Sequence, residues 1–177
     1  MDRETENLVL IGMPGAGKST VGVLLAKTAG RSFVDTDLLI QEGEGRPLQS
    51  LLDEKGAAGF QALEERYLRA LHVRGAVIAT GGSAVYSAAA MDHLRRGGPV
   101  VYLAATLPTL AGRLGAWEEG RGVVRRPGQT LADLFAERDP LYRRYAEAVI
   151  ATDGLPHDAV VRAVLRAVGK SSAGRSP

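Results

Sequence analysis

Short apolar runs alternate with amphipathic stretches along most of this chain. Five of the runs are rich in β-branched residues, and a glycine-rich or polar segment follows most of them, which is typical of buried strands. We therefore predict strands at Leu8–Ile11, 32–34, 76–80, Val100–Ala104 and Ala148–Ala151. The helical periodicity between the runs predicts helices at Lys18–Ala29, from Leu107 onward, and at 156–168.

This alternation of strands and helices predicts an α/β fold. Short buried strands separated by helices form parallel sheets that are covered on both faces. We therefore expect a three-layer domain in which a five-stranded parallel sheet has helices on both faces. Because ligands of such sheets bind beyond the carboxyl ends of the strands, motifs that directly follow strands are the candidates for a functional site.

Two segments depart from the regular alternation. Residues 43–72 have no strand pattern but contain two helical stretches, 48–53 and 57–71, which we interpret as an inserted helical layer over a small ligand. Residues 115–130 are rich in glycine and arginine and lack periodicity, which indicates either a mobile lid or an exposed connector. We expect one domain over 1–168 and a disordered polar tail over 169–177.

Composition narrows the classes of protein that fit. The chain has 177 residues, 45% of them apolar, which suits a single globular domain, and no apolar run approaches the roughly 18 residues of a membrane span. It has no cysteine, so thiolate metal sites and cysteine nucleophiles are excluded. The net charge of +2 does not favour nucleic acid. Acidic residues near the N-terminus do not resemble a secretory signal. We predict a cytoplasmic monomer that binds neither nucleic acid nor membranes.

The sharpest motif lies between the first strand and the first helix. The eight residues 12–19 match G-x-x-x-x-G-K-[ST], the phosphate-binding P-loop. Such a loop turns backbone N–H groups toward phosphates, while its lysine spans the β- and γ-phosphates and its hydroxyl ligates Mg²⁺. The predicted ATP-binding residues here are Gly12, Gly15, Ala16, Gly17, Lys18, Ser19 and Thr20.

Two carboxylates follow the second predicted strand. Asp35 and Asp37 should face the γ-phosphate across the sheet edge, where one can hold Mg²⁺ and the other can orient a substrate hydroxyl. The alternative is that one of them only caps the next helix, a common role for aspartate. Since one cap is enough, the pair favours a functional role.

Two further candidates carry weaker signals. Gly81, Gly82 and Ser83 follow the third strand, where glycine permits a close backbone approach to a ligand, although a plain tight turn would have the same sequence. Arg138 lies in a charged helical stretch, and an arginine in such a stretch is usually solvated.

Taken together, these motifs resemble the shikimate kinases, a family of small P-loop kinases. The likeness runs from Leu8 to about Val168 and rests on residues 12–20, 33–37, 45–47, 60–64, 81–82, 100–103 and 138–142. It implies the P-loop kinase fold and MgATP-dependent phosphorylation of a hydroxyl on a small carboxylated ring. The implied roles are Ser19 and Asp35 for Mg²⁺, Lys18 for the phosphates, Asp37 for the acceptor hydroxyl, Arg138 for the carboxylate, Arg121 (or its rival Arg126) as the catalytic lid arginine, and Arg113 for adenine.

Two positions depart from the family pattern in the substrate half. Gln61 stands where the family usually has a second arginine for the shikimate carboxylate, and Ser83 stands where it has a third glycine. Losing a charged hydrogen bond of about 1.5–3 kcal/mol weakens binding at least about tenfold unless another group replaces it. The candidates for that replacement are Arg66, Arg69 and Arg125.

Three functions therefore remain open at the level of sequence. The first is phosphorylation of shikimate to shikimate 3-phosphate, with Asp37, Gln61, Gly81, Gly82, Ser83 and Arg138 binding the substrate. The second is a kinase of the same fold that acts on another small hydroxylated metabolite. The third is a nucleotide-binding regulatory protein without phosphotransfer, against which the intact P-loop and aspartates argue.

Overall fold

A parallel five-stranded sheet lies at the centre of the molecule, as the sequence predicts. The computed structural model describes residues 6–114 and 123–171. The strands are β1 (Leu8–Ile11), β2 (Ser32–Asp35), β3 (Ala76–Ala79), β4 (Val100–Ala104) and β5 (Ala148–Ala151). Their order is β2-β3-β1-β4-β5, and every neighbouring pair is parallel.

Helices cover both faces of this sheet. They are α1 (Lys18–Ala29), α2 (Thr36–Glu44), α3 (Leu48–Arg69), α4 (Ala88–Gly97), α5 (Leu107–Leu114), α6 (Leu131–Tyr145) and α7 (His157–Ser171). A 3₁₀ turn, Ala84–Tyr86, joins β3 to α4. Helices α1 and α7 pack side by side, whereas α3 packs on α4, and α4 and α6 contact strands β1 and β4. The α/β prediction is therefore confirmed.

The burial of each strand follows from its position in the sheet. Strand β1 lies between β3 and β4, and all four of its apolar residues are buried. Strand β5 is at the edge, and its residues alternate between half-buried and exposed. Strands β3 and β5 have the same sequence, Ala-Val-Ile-Ala, yet only β3 is buried throughout, so position in the sheet decides the burial: a central strand is covered on both faces.

The helical insert follows the predicted pattern with one difference. The two predicted stretches, 48–53 and 57–71, are the two halves of α3, which joins them without an intervening loop and ends at Arg69. Only Gly56 leaves the helical conformation, with φ 66° and ψ 177°. Glycine tolerates this positive φ, so the kink needs a single residue.

The predicted tail begins too early. Helix α7 continues through Gly169 and ends at Ser171, so the prediction of a disordered tail from 169 is wrong for its first three residues. Residues 172–177 lie outside the described part of the chain. Within the described part, none of the helices is both long and apolar enough to cross a membrane.

The second half of the predicted lid packs against the helical insert. Residues 115–122 lie outside the described ranges, whereas 123–130 form an irregular segment that leads into α6. Val124 is buried in a small apolar cluster with Ile40, Leu51, Phe60 and Leu63. Val124 therefore anchors the start of the segment against α2 and α3, whereas residues 125–128 are exposed.

Candidate active site

The P-loop occupies the turn between β1 and α1 and depends on glycine in two ways. Gly15 and Gly17 have φ angles of 81° and 94°, which strain other residues. A side chain at Gly12 would lie 2.7 Å from the carbonyl oxygen of Leu103 on β4. Residues with side chains would therefore be strained at positions 15 and 17 and would clash with Leu103 at position 12.

Lys18 lies at the start of α1 and turns back over the loop. Its ammonium donates hydrogen bonds to the carbonyl oxygens of Gly12 at 2.8 Å and Met13 at 3.0 Å. Burial lowers the pKa of Lys18 to about 8, and the nearby Asp37 opposes this shift. The lysine is thus a cation held in place before any phosphate arrives.

Ser19 and Asp35 form a pair of oxygen groups beside the loop. The Ser19 hydroxyl donates to Asp35 Oδ2 at 2.6 Å. Asp35 Oδ1 accepts from the backbone N–H groups of Asp37 and Leu38, so Asp35 also caps α2. In residues 6–114 and 123–171 no group of three or more potential metal ligands occurs. A hydroxyl and a carboxylate nevertheless fit Mg²⁺, which usually takes few protein ligands and completes its shell with phosphate and water.

Arg113, the predicted adenine residue, lies on α5 against the outer side of the loop. Its guanidinium donates long hydrogen bonds to the carbonyl oxygens of Gly15 and Ala16, at 3.3 and 3.4 Å, and to that of Thr152 at 3.5 Å. The segment after β5 and the P-loop thus meet at this arginine. Thr20 is exposed in the first turn of α1.

A small polar cavity of about 70 Å³ opens beside Lys18. It joins residues from the P-loop, helix α2, helix α3, the turn after β3, the segment before α6, and α6 itself. The lining residues are Pro14, Lys18, Asp37, Phe60, Gly81, Gly82, Ser83, Val123, Val124 and Arg138. Because parallel strands end at one edge, segments far apart in the sequence meet here.

Asp37 contributes a carboxylate to this cavity. Burial raises its pKa to about 6, with a further increase from the negative charge of Asp35, while Lys18 opposes the shift. A side chain added at Gly81 would come within 2.8 Å of Asp37 Oδ1. Gly81 must therefore lack a side chain for this carboxylate to lie where it does.

Arg138 contributes the opposing charge and is buried, with only 1% of its surface exposed. Arg138 is therefore not solvated, although the charged stretch taken by itself favours solvation. Its Nη2 donates to the Val124 carbonyl at 2.5 Å and its Nε donates to the Tyr86 hydroxyl at 3.1 Å. Nη1 lies against Gly82, since a side chain at Gly82 would come within 3.0 Å of it. A buried cation thus faces the cavity that Asp37 lines.

Comparison with known proteins relates this chain to one family. The family model "SKI: Shikimate kinase" matches residues 14–175. A shikimate kinase of Pseudomonas aeruginosa (strain LESB58) is 42% identical over 167 residues, which cover 93% of this chain and 96% of the relative. The chain belongs to the shikimate kinase family.

Solved structures of shikimate kinases agree with this assignment. The Acinetobacter baumannii enzyme, solved in complex with shikimate, superposes with a TM-score of 0.84 at 31% identity, and the match covers 94% of each chain. The Aquifex aeolicus enzyme has a TM-score of 0.81 at 29% identity, over 95% of this chain and 99% of that one. The fold is thus that of the P-loop shikimate kinases.

One of the two departures from the shikimate kinase pattern has a clear structural partner. The Ser83 hydroxyl donates to Oε2 of Glu64 at 2.5 Å. Glu64 lies on α3 and is only 2% exposed, and burial is the main cause that raises its pKa to about 7. Among the described residues, its Oε1 has no hydrogen-bond partner. A side chain at Gly81 would overlap this Oε1 as well as crowd Asp37, so both carboxyl groups border the same glycine.

Glu64 is a site residue that sequence reasoning missed. The signal that could have found it is helical spacing, since Phe60, Glu64 and Leu68 recur every four residues and all three are buried. A carboxylate on the buried face of a helix is rare unless a partner or a function holds it there.

The other departure, Gln61, lies outside the lining of the cavity. It borders a neighbouring recess of about 240 Å³, which it shares with Glu65, Ser83 and Tyr86 among others. Because successive helical residues are rotated by about 100°, Gln61 points to the side of Phe60, into the recess that shares Ser83 with the cavity. The structure thus brings the other predicted substrate residues together without Gln61.

The proposed replacement arginines are engaged elsewhere. Arg66 pairs with Glu44 at 2.7 Å and Arg69 pairs with Glu65 at 3.3 Å, and both side chains are mostly exposed. Arg125 is exposed and does not line the cavity. Among the described lining residues, the cations are therefore Lys18 and Arg138.

The two candidates for the lid arginine are Arg121 and Arg126. Arg121 lies outside the described residues. The side chain of Arg126 is 72% exposed and pairs with Glu137 on α6 at 2.6 Å. Arg126 is therefore turned toward α6 in this structure.

Proposed function

We propose that this chain transfers the γ-phosphate of ATP to a hydroxyl of shikimate, which yields shikimate 3-phosphate and ADP. The observation that carries the proposal is the position of Asp37 and Arg138 in one cavity beside Lys18, where a hydroxyl and a carboxylate of one small molecule can be bound at once. Family membership and the likeness to a structure solved with shikimate support the same substrate.

The P-loop binds the triphosphate in this proposal. Backbone N–H groups between Gly12 and Ser19 surround the β- and γ-phosphates at the positive end of α1. Thr20 lies in the first turn of the same helix. Lys18 exchanges its hydrogen bonds to the Gly12 and Met13 carbonyls for bonds to phosphate oxygens. Arg113, which already contacts the loop, flanks the adenine.

Ser19 and Asp35 hold the metal ion that the nucleotide brings. Held there, Mg²⁺ would supply positive charge that offsets the negative charge developing during transfer. Asp35 keeps its second oxygen on the N–H groups of α2, so its carboxylate has a fixed orientation toward Ser19.

Asp37 and Arg138 position the acceptor. The Asp37 carboxylate accepts a hydrogen bond from the reacting hydroxyl and takes its proton as the new O–P bond forms. The bond between the γ-phosphorus and the bridging oxygen breaks, and ADP leaves with the electron pair. With a pKa near 6, Asp37 is mostly ionised at neutral pH and loses this capacity as the pH falls below 6. Arg138 holds the acceptor carboxylate at the other end of the cavity.

The segment before α6 completes the cavity. Val123 and Val124 line it with apolar side chains, which would help to exclude water from the acceptor. Arg121, which precedes this segment in the sequence, is the proposed lid arginine that contacts the phosphates. Arg126 serves this role instead only if it leaves Glu137.

A coupled assay of ADP release tests the proposed function. Purified protein with MgATP is presented with shikimate and with a panel of hydroxy acids, polyols and sugars. We expect kcat/KM for shikimate of about 10⁴ M⁻¹s⁻¹ or more, well above every other acceptor. A better acceptor in the panel would assign a different metabolite. MgATP binding without turnover of any acceptor would favour a regulatory protein.

A further inference from the structure

Arg138 is held by a tyrosine that the function proposed above does not use. Tyr86 ends the 3₁₀ turn that follows Gly81 and Gly82, and its hydroxyl accepts the Nε–H of Arg138 at 3.1 Å. The guanidinium carbon also lies 5.1 Å from the centre of the Tyr86 ring, within the range of a cation–π contact. One residue thus engages Arg138 through both its hydroxyl and its ring.

The proton of the Tyr86 hydroxyl points away from the arginine. That hydroxyl donates to Oε1 of Glu137 at 2.6 Å, so its lone pairs are left to accept from Arg138. Burial raises the pKa of Tyr86, and the bond to Glu137 adds to the increase, so the hydroxyl stays protonated in this role. The direction of both hydrogen bonds is therefore fixed.

Glu137 extends this contact to the segment before α6. Its Oε2 accepts from Arg126 Nη2 at 2.6 Å and from Gln129 Nε2 at 2.8 Å. The bond from Tyr86 is the first cause that lowers the pKa of Glu137, which keeps it ionised. The carboxylate thus joins the 3₁₀ turn, helix α6 and the segment 123–130.

These contacts determine which part of Arg138 is left for a ligand. Nε is bound to Tyr86 and Nη2 to Val124, while Nη1 lies against Gly82 at the cavity. An arginine side chain has several rotatable bonds, and fixing it in advance reduces the entropy lost when it binds an anion. This matters more where the described lining offers only one other cation, Lys18, at the phosphate end.

We propose that Tyr86 is a positioning residue for the acceptor: it holds the guanidinium of Arg138 in the orientation that binds the acceptor carboxylate, and Glu137 anchors Tyr86 to the segment 123–130. The proposal rests on the proposed function for the identity of the acceptor. A purely structural role fits poorly, since Tyr86 is half-buried at a turn, whereas the core tyrosines Tyr102 and Tyr142 are fully buried.

Steady-state kinetics of Tyr86→Phe tests the proposal. The change keeps the ring and removes the hydroxyl, so we expect KM for shikimate to rise about three- to tenfold with KM for ATP and Tm unchanged. Tyr86→Leu, which also removes the ring contact, should raise KM for shikimate further. Tyr67→Phe is the matched control, because it removes a hydroxyl that binds Glu44 outside the cavity. An unchanged KM for shikimate in Tyr86→Phe, or an equal rise for ATP, would overturn the proposal.

A second measurement does not depend on the acceptor. Hydrogen exchange of the Arg138 Nε–H, followed by NMR on the protein without substrate, should be slow in the wild type. It should speed up about tenfold or more in Tyr86→Phe and stay slow in Tyr67→Phe. Equal exchange in wild type and Tyr86→Phe would overturn the positioning role even if shikimate is turned over. Failure of wild type to use shikimate would instead contradict the proposed function, while the exchange result still decides what Tyr86 does.

Discussion

The nucleotide half and the acceptor half of this site are built by different means. The proposed nucleotide half is one continuous loop, formed by backbone groups, three glycines and the first residues of α1. The acceptor half uses side chains from α2, α6 and the turn after β3, and each comes from a distant part of the sequence. Local chain conformation creates the first, and packing of the whole domain creates the second.

The two halves also differ in how charge is buried. The Lys18 ammonium is hydrogen-bonded to loop carbonyls, whereas Asp37, Glu64 and Arg138 are enclosed together around Gly81 and Gly82. A buried charge is costly unless it is paired or hydrogen-bonded. The two halves should therefore respond to opposite changes of pH: the raised pKa values of Asp37 and Glu64 make the acceptor half sensitive to acid, whereas the lowered pKa of Lys18 makes the nucleotide half sensitive to alkali.

The largest effect is expected in the nucleotide half. Lys18→Ala removes the positioned cation that stabilises charge on the transferred phosphoryl group, and we expect kcat to fall by about 10²- to 10³-fold. Tm should change little, since the lysine bonds only to loop carbonyls. The measurement is ADP release at saturating substrates, with the exposed Lys27→Ala of the same helix as the control. A kcat within a few-fold of wild type would show that the loop does not act on the phosphate.

A smaller and more selective effect is expected from Arg138→Ala. Removing a charged hydrogen bond to the acceptor should raise KM for shikimate about ten- to a hundredfold and leave KM for ATP unchanged. Arg143→Ala is the matched control, because this exposed arginine of the same helix pairs with Asp139. If Arg138→Ala proves unstable, Arg138→Lys replaces it: this variant keeps a positive charge, so its KM for shikimate should lie between that of wild type and the value expected for Arg138→Ala. Equal changes in both KM values would contradict the separation of the two halves.

Per pH unit, the smallest effect is the pH dependence of stability. The folded state raises the pKa of Glu64 from 4.5 to about 7, so the folded protein keeps a proton that the unfolded chain releases. The free energy of unfolding should therefore decrease as pH rises through that window, by at most about 1.4 kcal/mol per pH unit from this group. Asp37 contributes in the same direction up to about pH 6.

Glu64→Gln isolates this contribution. Denaturant unfolding of wild type and variant between pH 4.5 and 7 should show a flatter dependence in the variant. The exposed Glu42→Gln should keep the wild-type slope. Parallel curves for wild type and Glu64→Gln would mean that Glu64 titrates normally in the folded protein.

The same contrast explains what the sequence could predict. Strand β1 and the P-loop follow from local patterns, since an apolar run, a glycine-rich turn and a helix are specified by neighbouring residues. Helix α2 is not among the helices that periodicity predicts, because its apolar residues are three adjacent positions rather than a helical repeat, and only the cap alternative for the two aspartates points to it. The sequence predicts two helical stretches in place of the single helix α3, because the non-helical Gly56 interrupts the periodicity.

The acceptor half was only partly predictable because its burial depends on tertiary packing. Nothing in the charged stretch around Arg138 indicates that α6 presses this arginine against Tyr86 and Val124. The bond between Ser83 and Glu64 joins positions 19 apart in the chain and follows from the way α3 packs beside the turn after β3. Family resemblance drew attention to Gln61, yet the rotation of one helical position places it in the neighbouring recess.

The proposed function requires that Arg138 bind the carboxylate of a single acceptor, shikimate. Its most direct test compares kcat/KM of the wild type for shikimate and for the analogue in which a carboxamide replaces the carboxylate. We predict about 10⁴ M⁻¹s⁻¹ or more for shikimate and a value at least about tenfold lower for the amide. Equal use of both compounds, or no turnover of shikimate by protein that binds MgATP, would contradict the account.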